Sequence, residues 1–405
     1  MPGLLQKILL SAALLGLAVE GAPSTATKQG NGPKAIYFLT NNAQNAVVAL
    51  PVGCDGTLSH GSVTGTGGKG SNSIDMNTNL PAGPDALSSQ SALTVSGQYL
   101  FAVNAGSNSL TMFSISAKDP TNLTALGHSA SLPGDFPVTV AASAKNNLVC
   151  VGTTGAKSGV SCTSFSSHGL GKMDALRPFG LGQTTPPVGP FNTVSQVFFS
   201  SDESVLFTAV KGNPPANNTG FISAFPVNSK SPCGGAISTL STTETRSSPA
   251  GTAVLFGSAA IPGSTSLFVT DASFGAAVLA VDSSNKATLT AKGVIADQSA
   301  TCWVAISDVT VNAYVTDVAV NHIVEMSTKD ASIISSTDLS ANGGTGLTDL
   351  ASGGNFIYAL GAGDGKAKAT VTVLDVSGGK VKQIQYFDVS STGAGKNSQG
   401  LTLLL

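Results

Sequence analysis

Reactive side chains are few in this 405-residue sequence, which limits the chemistry it could perform. Histidine occurs at positions 60, 128, 168 and 322, and glutamate beyond residue 20 at positions 203, 244 and 325. None of these residues stands in a zinc-binding helix motif, and the chain has no nucleophile elbow, phosphate loop or calcium loop. The sequence therefore predicts no metal site and no cofactor, and it leaves single side chains in loops as candidates.

Arg177 is one of two arginines and lies in the long connector GKMDALRPFGLGQTTPPVGPFNTVSQVFF, residues 171–199. A guanidinium binds a carboxylate through two parallel hydrogen bonds, so Arg177 is a candidate clamp for a small acid. The alternative is an arginine on a surface loop. A second long connector, residues 61–88, carries Asp75 and Asp85 and predicts either a lid over the same mouth or a mobile segment.

The composition favours short strands over helices. Glycine accounts for 47 residues and charged residues for 10%, while 41% of residues are hydrophobic. Such a chain offers few strong helix formers and enough apolar surface for a core. The net charge of −2, without a basic cluster, argues against a nucleic-acid partner.

A hairpin pattern recurs along the chain. In LFAVNAGSNSLTMFSI, an apolar run ends at a polar turn and a second apolar run follows. Aligned on that turn, seven copies occupy residues 36–52, 100–115, 148–165, 206–227, 267–281, 313–327 and 357–376. Strand–turn–strand units at a period of about 50 residues are typical of a β-propeller.

Each copy also has a shorter strand before the hairpin and a weak strand after it, such as residues 91–97 and 125–132. We therefore predict an all-β fold: a seven-bladed propeller of four-stranded antiparallel blades, forming one domain over residues 34–405. The first hairpin lacks a preceding strand, and residues 399–405 form an orphan strand. We predict that this C-terminal strand completes blade 1 and closes the ring.

The N-terminus predicts export. One positive charge precedes the apolar run 8–19, and small residues follow, so residues 1–21 are predicted to be a signal peptide and residues 22–33 a flexible N-terminus. Sequons at Asn122 and Asn217 are candidate glycosylation sites. The expected product is a secreted monomer, extracellular or in the cell wall, with no membrane segment.

The predicted export would take the five cysteines of the chain into an oxidising compartment, where disulfides can form. Cys150 and Cys162 lie equally far from the predicted turn centre at Ala156, so they should face each other across two strands and form a disulfide; the alternative is two buried thiols. The odd number leaves at least one thiol unpaired within the chain. The pairing of Cys54, Cys233 and Cys302 remains open.

Asp271 and Asp317 end two of the apolar strands at the repeat position held elsewhere by Asn41 and Asn104. Carboxylate and amide side chains at such a position close the hairpin turn by accepting backbone hydrogen bonds. A metal ligand is the alternative role.

The hairpins, the stretch around QVFFSSDESVLF and the blade count resemble the lactonase-type seven-bladed propellers. That family includes the fungal 3-carboxy-cis,cis-muconate lactonizing enzyme, or 3-carboxymuconate cyclase, and bacterial 6-phosphogluconolactonase. With the signal peptide, the chain resembles secreted fungal carboxymuconate cyclase-like proteins, some of which are wall glycoproteins and antigens. The resemblance implies an isomerase of the intramolecular lyase type, or a lactone hydrolase.

The family pattern Pro-His-x-His-Gln at the start of blade 4 is only partly present. Pro190 and Gln196 match its ends, but GPFNTVSQVFF contains no histidine, and the later strand end becomes AVKGNPP. In this stretch Asn192 and Gln196 are candidate ligand-binding residues. His168 is the candidate acid, with Lys211 as a second possible replacement, although the sequence places neither at the mouth.

Two functions follow. One is a secreted glycoprotein that retained the propeller but lost or altered the chemistry, and that binds a small carboxylate, a carbohydrate or a wall or extracellular component through its faces. The other is an active intramolecular lyase or lactonase that acts on a small carboxylate. Because the histidines of the family pattern are absent and the chain has only two arginines, the first function is favoured.

Overall fold

The recurring hairpins become the two middle strands of seven separate sheets, as predicted. The computed structural model describes residues 32–230 and 237–405. Seven sheets are arranged as blades, each with at least four antiparallel strands. The predicted signal peptide, all but the last two residues of the predicted flexible N-terminus, and Cys233 lie outside the described residues.

The first four blades have these strands, from the innermost outward. Blade 1 contains Gln399–Leu404, Ala35–Leu39, Ala46–Pro51 and Ser62–Gly65. Blade 2 contains Leu93–Ser96, Tyr99–Asn104, Ser109–Ile115 and Leu123–Ala125. Blade 3 contains Pro137–Ser143, Leu148–Thr153, Gly159–Ser166 and Gly169–Leu170. Blade 4 contains Val194–Phe199, Val205–Val210, Phe221–Lys230 and Ile237–Leu240.

The remaining three blades follow the same plan. Blade 5 contains Leu255–Ala260, Leu267–Asp271, Gly275–Val281 and Ala287–Val294. Blade 6 contains Thr301–Ile306, Ala313–Asp317, His322–Met326 and Ile333–Asp338. Blade 7 contains Asp349–Gly353, Phe356–Gly361, Thr370–Asp375 and Lys382–Asp388. Short 3₁₀ turns occur at Ala105–Ser107, Pro214–Ala216, Ser340–Asn342 and Ser390–Thr392.

Blades 2, 3 and 4 carry a fifth short strand, which pairs with the third strand as the fourth does, at Ala130–Ser131, Arg177–Pro178 and Thr245–Ser247. In blade 2, the sequence predicted one outer strand over 125–132, but the structure has two short pieces. Gly127, at φ 68°, separates them, because this left-handed backbone cannot continue an extended strand.

Apolar side chains on the blade faces pack against the neighbouring blades. Phe101 of blade 2 meets Phe165 of blade 3 with ring centroids 4.8 Å apart. Where the ring closes, Ile36 of blade 1 and Tyr358 of blade 7 share a buried cluster. Each blade is thus covered by its neighbours, and the propeller forms one cooperative unit.

The C-terminal strand closes the ring, as predicted. Gln399–Leu404 pairs antiparallel with Ala35–Leu39, with Ala35 opposite Leu404 and Tyr37 opposite Thr402. The backbone N–H of Lys34 donates to the carbonyl of Leu404 at 2.7 Å. Blade 1 is therefore assembled from both ends of the described chain.

The predicted disulfide between Cys150 and Cys162 is confirmed. The two residues stand directly opposite each other on adjacent strands of blade 3. The turn lies between Thr153 and Gly159, and the equal spacing from it brings both residues into register.

The aspartates at the strand ends bind backbone, as predicted. Oδ2 of Asp317 accepts hydrogen bonds from the N–H groups of Ser299 and Ala300, and Oδ1 accepts them from Ala319 and Val320. Each carboxylate thus closes its own hairpin turn and also anchors the chain where it enters the innermost strand. Asp271 binds both segments in blade 5 as well: its Oδ2 accepts from the N–H of Ala253, and its Oδ1 accepts from those of Val254 and Ser273.

Candidate functional site

A cavity of about 610 Å³ lies on the face of the propeller where the innermost strands begin. Its wall is mostly apolar and comes from loops and one innermost strand of several blades: Leu80, Pro84, Phe191, Val254, Phe256 and Val318. Eight side chains with polar chemistry also line it: Asp75, Thr78, Asp85, Ser88, Lys211, Ser273, Ser299 and Cys302. An apolar cleft with a few polar groups is the usual form of a small-molecule site.

The two long connectors meet over this face. Ile74–Asp75 pairs in parallel with Val188–Gly189, and the N–H of Ile74 donates to the carbonyl of Pro187 at 2.8 Å. The connector 61–88 lines the cavity from Asp75 to Ser88, and the other connector lines it from Gly189 to Phe191. The connector 61–88, predicted to be either a lid or a mobile segment, thus pairs with the second connector on this face.

Ser89 and Gln90 cross the axis from blade 2 to blade 6. The Gln90 amide donates to the carbonyl of Val304 at 2.8 Å and accepts from its N–H at 3.2 Å. The Trp303 indole donates to the carbonyl of Ser89 at 3.0 Å. A Cβ at Gly257 would lie 2.3 Å from Oε1 of Gln90, so glycine makes room for this crossing.

Lys211 directly follows the second strand of blade 4 and reaches into the axis. Its side chain is buried, with 1% exposure. Nζ donates to the carbonyl of Ser88 at 2.5 Å and lies 4.6 Å from the centroid of the Phe256 ring. Desolvation lowers the pKa of Lys211 to about 8, although the charge of Asp85 opposes that shift.

Asp85 is the acidic counterpart of Lys211 in the same cavity. Burial raises its pKa to about 7; Lys211, the N–H groups of Ser88 and Ser89 and the Gln399 amide oppose that rise. Its Oδ1 atom is buried without a hydrogen-bond partner. Asp85 can therefore hold a proton, or accept a hydrogen bond from a ligand, near neutral pH.

Cys302 is buried on the cavity wall and is bonded to no other described cysteine. Burial raises the pKa of its thiol well above the usual value, and the charges of Asp85 and Asp317 add to that rise. The side chain is thus a neutral thiol at physiological pH and contributes to the wall as a small apolar group.

The raised pKa of Asp85 should make the free energy of unfolding depend on pH. The folded pKa of about 7 lies above the ordinary aspartate value of 3.8, so between these two pH values the folded chain binds more protons than the unfolded chain. The free energy of unfolding must then fall as pH rises through this window. We expect Asp85→Asn to gain about 2 kcal/mol relative to the native chain between pH 5 and pH 7.

Denaturant unfolding of both proteins at several pH values tests this expectation. Asp55→Asn is the matched control, because Asp55 is exposed and hydrogen bonds from Thr57 lower its pKa. Its carboxyl is ionised in both states over the same window, so its profile should run parallel to that of the native chain. A parallel profile for Asp85→Asn would contradict the raised pKa.

Arg177 lies between the outer parts of blades 3 and 4 and is not among the residues that line the cavity. Its Nε donates to the carbonyl of Ser241 at 2.6 Å, and its terminal nitrogen donates to Leu240 at 2.8 Å and to the Asp174 carboxylate at 2.9 Å. The guanidinium is thus engaged in joining two blades. Its role as a carboxylate clamp remains a prediction.

Of the other candidate residues, one lies in blade 3 and two lie at the start of blade 4. His168 is exposed at the turn before Gly169–Leu170. Asn192 donates to the carbonyl of Leu181 at 2.7 Å. Gln196 is buried near the axis, where it accepts from the N–H of Ser258 at 2.6 Å and donates to Ser91. None of the three lines the cavity, and their catalytic or ligand-binding roles remain predictions.

Asn122 and Asn217, the predicted glycosylation sites, are both exposed. Asn217 follows Pro214–Ala216, and Pro214 borders the cavity. Asn122 lies in the loop before the fourth strand of blade 2, which begins at Leu123.

Several solved structures share this architecture. The periplasmic gluconolactonase of Pseudomonas aeruginosa is 13% identical, with a TM-score of 0.62, over 91% of this chain and 99% of its own. A putative 6-phosphogluconolactonase from Bacteroides fragilis is 10% identical, with a TM-score of 0.57, over 95% of this chain and 100% of its own. A putative 6-phosphogluconolactonase from Bacteroides uniformis is 15% identical, with a TM-score of 0.53, over 71% of this chain and 80% of its own.

These similarities show the fold alone, a seven-bladed propeller of the kind found in these solved structures. A scan against protein-family models and a search of curated proteins found no match. The finer resemblance to fungal 3-carboxymuconate cyclases stays a prediction. Within residues 32–230 and 237–405, no helix has the length and apolar character needed to span a membrane.

No local sequence pattern indicated that Lys211 faces the cavity. In blades 5 and 6, an aspartate lies opposite the first residue of the innermost strand, and in blade 4 Val210 holds that position. Lys211 is the next residue along the chain. The corresponding residues of blades 5 and 6, Ala272 and Val318, also line the cavity, so the cationic side chain is the feature that distinguishes blade 4.

Proposed function

We propose that the central cavity binds a small organic anion, with Lys211 as the cationic partner and the apolar wall holding the rest of the molecule. The observation that carries this proposal is a lysine buried to 1% exposure in the wall of a cavity of about 610 Å³. Burying an ammonium group is costly unless it has a partner. A ligand carboxylate would supply one.

Protonation of Asp85 can compensate for the negative charge that the ligand brings into the cavity. With its pKa raised to about 7, Asp85 can take up a proton when an anion arrives beside Lys211. Binding should then be accompanied by proton uptake and should weaken as pH rises above 7.

Calorimetry with benzoate and benzamide tests the proposal, because the two probes share a shape and differ in charge. Benzoate should bind, and benzamide should bind much more weakly. Equal affinity for both, or no binding of benzoate between pH 6 and pH 7, would contradict the proposal. Titration in buffers of different ionisation enthalpy measures the proton uptake.

A second function is favoured by Asp85 and Lys211 lying in one cavity. An acid with a pKa near 7 beside a cation could donate a proton in lactone chemistry or intramolecular addition. Turnover of 3-carboxymuconate or of simple lactones, lost in Asp85→Asn, would establish an enzyme. Binding without turnover would favour the non-catalytic function.

We further infer that the chain is a secreted glycoprotein of the extracellular space or cell wall. The predicted signal peptide, the disulfide in blade 3 and the exposed Asn122 and Asn217 support this inference. Expression from a eukaryotic secretory host, with and without glycosidase treatment, tests it. Protein retained inside the cell, or without a change in mobility after treatment, would contradict it.

A further inference from the structure

We propose that Lys211 is also a reactive amine, which condenses with small aldehydes or ketones that enter the cavity and holds them as an imine. The ligand class is then a carbonyl compound whose apolar part fits the wall around Phe256. This inference goes beyond the proposed anion site, since it concerns a covalent bond to carbon and not an ionic contact.

The surroundings of Nζ leave it able to react. One hydrogen goes to the carbonyl of Ser88 at 2.5 Å, and one side of the group faces the Phe256 ring at 4.6 Å. No carboxylate forms a salt bridge with it among the described residues. Because Lys211 lines the cavity, a small carbonyl compound can approach the remaining side.

The chemical state of the amine supports this inference. Desolvation lowers the pKa of Lys211 to about 8, so a substantial fraction is neutral at pH 8. An ordinary exposed lysine has a pKa of about 10.4 and is almost wholly protonated there. A desolvated lysine in an apolar pocket is an activated nucleophile toward carbonyl carbon.

The reaction balances with groups present in the cavity. The neutral amine attacks the carbonyl carbon, a carbon–nitrogen bond forms, and the oxygen takes up a proton to give a carbinolamine. Asp85 can accept the proton that leaves nitrogen and donate it to the departing hydroxyl, which leaves as water. The product is the imine plus one water, and no oxidant or reductant is consumed.

Reductive trapping tests this inference on the native protein. Benzaldehyde is added at pH 8 with cyanoborohydride, which reduces any imine to a stable amine, and peptide mapping identifies the labelled lysines. Lys211 should be labelled at least about ten-fold faster than any exposed lysine, because it has the larger neutral fraction. Lys292 is the matched internal comparison: its Nζ also lies on an aromatic ring, 3.6 Å from the centroid of Phe274, but it is exposed.

Two further samples keep the result interpretable. Lys211→Met should lose the fast label, and denatured native-sequence protein should lose the preference for Lys211. Labelling of Lys211 no faster than Lys292 in the folded protein would overturn the inference, whatever the variant does. If Lys211 of the folded native protein is labelled slowly but benzoate still binds, only the imine is refuted. If Lys211 is labelled fast but benzoate does not bind, the imine is supported and the anion site is refuted.

Discussion

Deleting residues 399–405 is expected to leave a chain that does not fold. These residues include the innermost strand of blade 1, which pairs with Ala35–Leu39. Without it, the buried face of Tyr37 opens to solvent and the N–H of Leu401 no longer reaches the buried Asp349 carboxylate. Burial raises the pKa of Asp349 well above its usual value and the N–H of Leu401 opposes that rise, so the deletion removes a donor that stabilises the ionised carboxylate.

The expected cost exceeds the roughly 5–15 kcal/mol by which most domains are stable, because a ring of mutually covering blades loses its closure. Yield from a secretory host and far-ultraviolet circular dichroism measure the outcome. Removal of Leu405 alone is the matched control, since this residue is 58% exposed and follows the last strand. A folded truncated protein with an unchanged melting temperature would show that closure is dispensable.

Replacing Lys211 by methionine is expected to weaken benzoate binding by about 30- to 100-fold, the loss of one charge-assisted hydrogen bond of 2 to 3 kcal/mol. Methionine keeps an unbranched apolar stem against Phe256 and removes the charge. Affinity for benzamide should change little. Calorimetry of both ligands at pH 6.5 measures the difference.

Two other substitutions make this prediction specific. Lys292→Met removes an exposed lysine that also packs on an aromatic ring, and it should leave benzoate affinity unchanged. Arg177→Ala separates the cavity from the predicted clamp: a folded Arg177→Ala protein should still bind benzoate if Lys211 is the partner. Loss of binding in Arg177→Ala but not in Lys211→Met would assign the site to Arg177 instead.

The closed ring was predictable because the sequence pattern that specifies each blade lies within one hairpin and recurs along the chain. Each hairpin carries its own turn and its own alternation, so blade count and strand order follow from the repeats. The disulfide followed from the equal distance of Cys150 and Cys162 from one turn. The roles of Asp271 and Asp317 followed from their place at the end of an apolar strand.

The candidate site was only partly accessible in this way. The connector 61–88 was expected to be either a lid over the mouth or a mobile segment, and Asp85, which lines the cavity, lies within it. Arg177 attracted interest as a rare cation, yet the carbonyls of Leu240 and Ser241 in the next blade bind it. Lys211 had the required chemistry, but nothing near it in the chain indicated the mouth.

The sequence alone thus determined the all-β class, the seven blades, the closing strand and the disulfide, since each depends on patterns within a hairpin or on one repeat compared with another. Only the tertiary structure decided which cation faces the cavity. The environment of Lys211 comes from Ser88, Asp85 and Phe256, which belong to distant parts of the chain. Desolvation depends on the sum of such neighbours, and no local pattern encodes that sum.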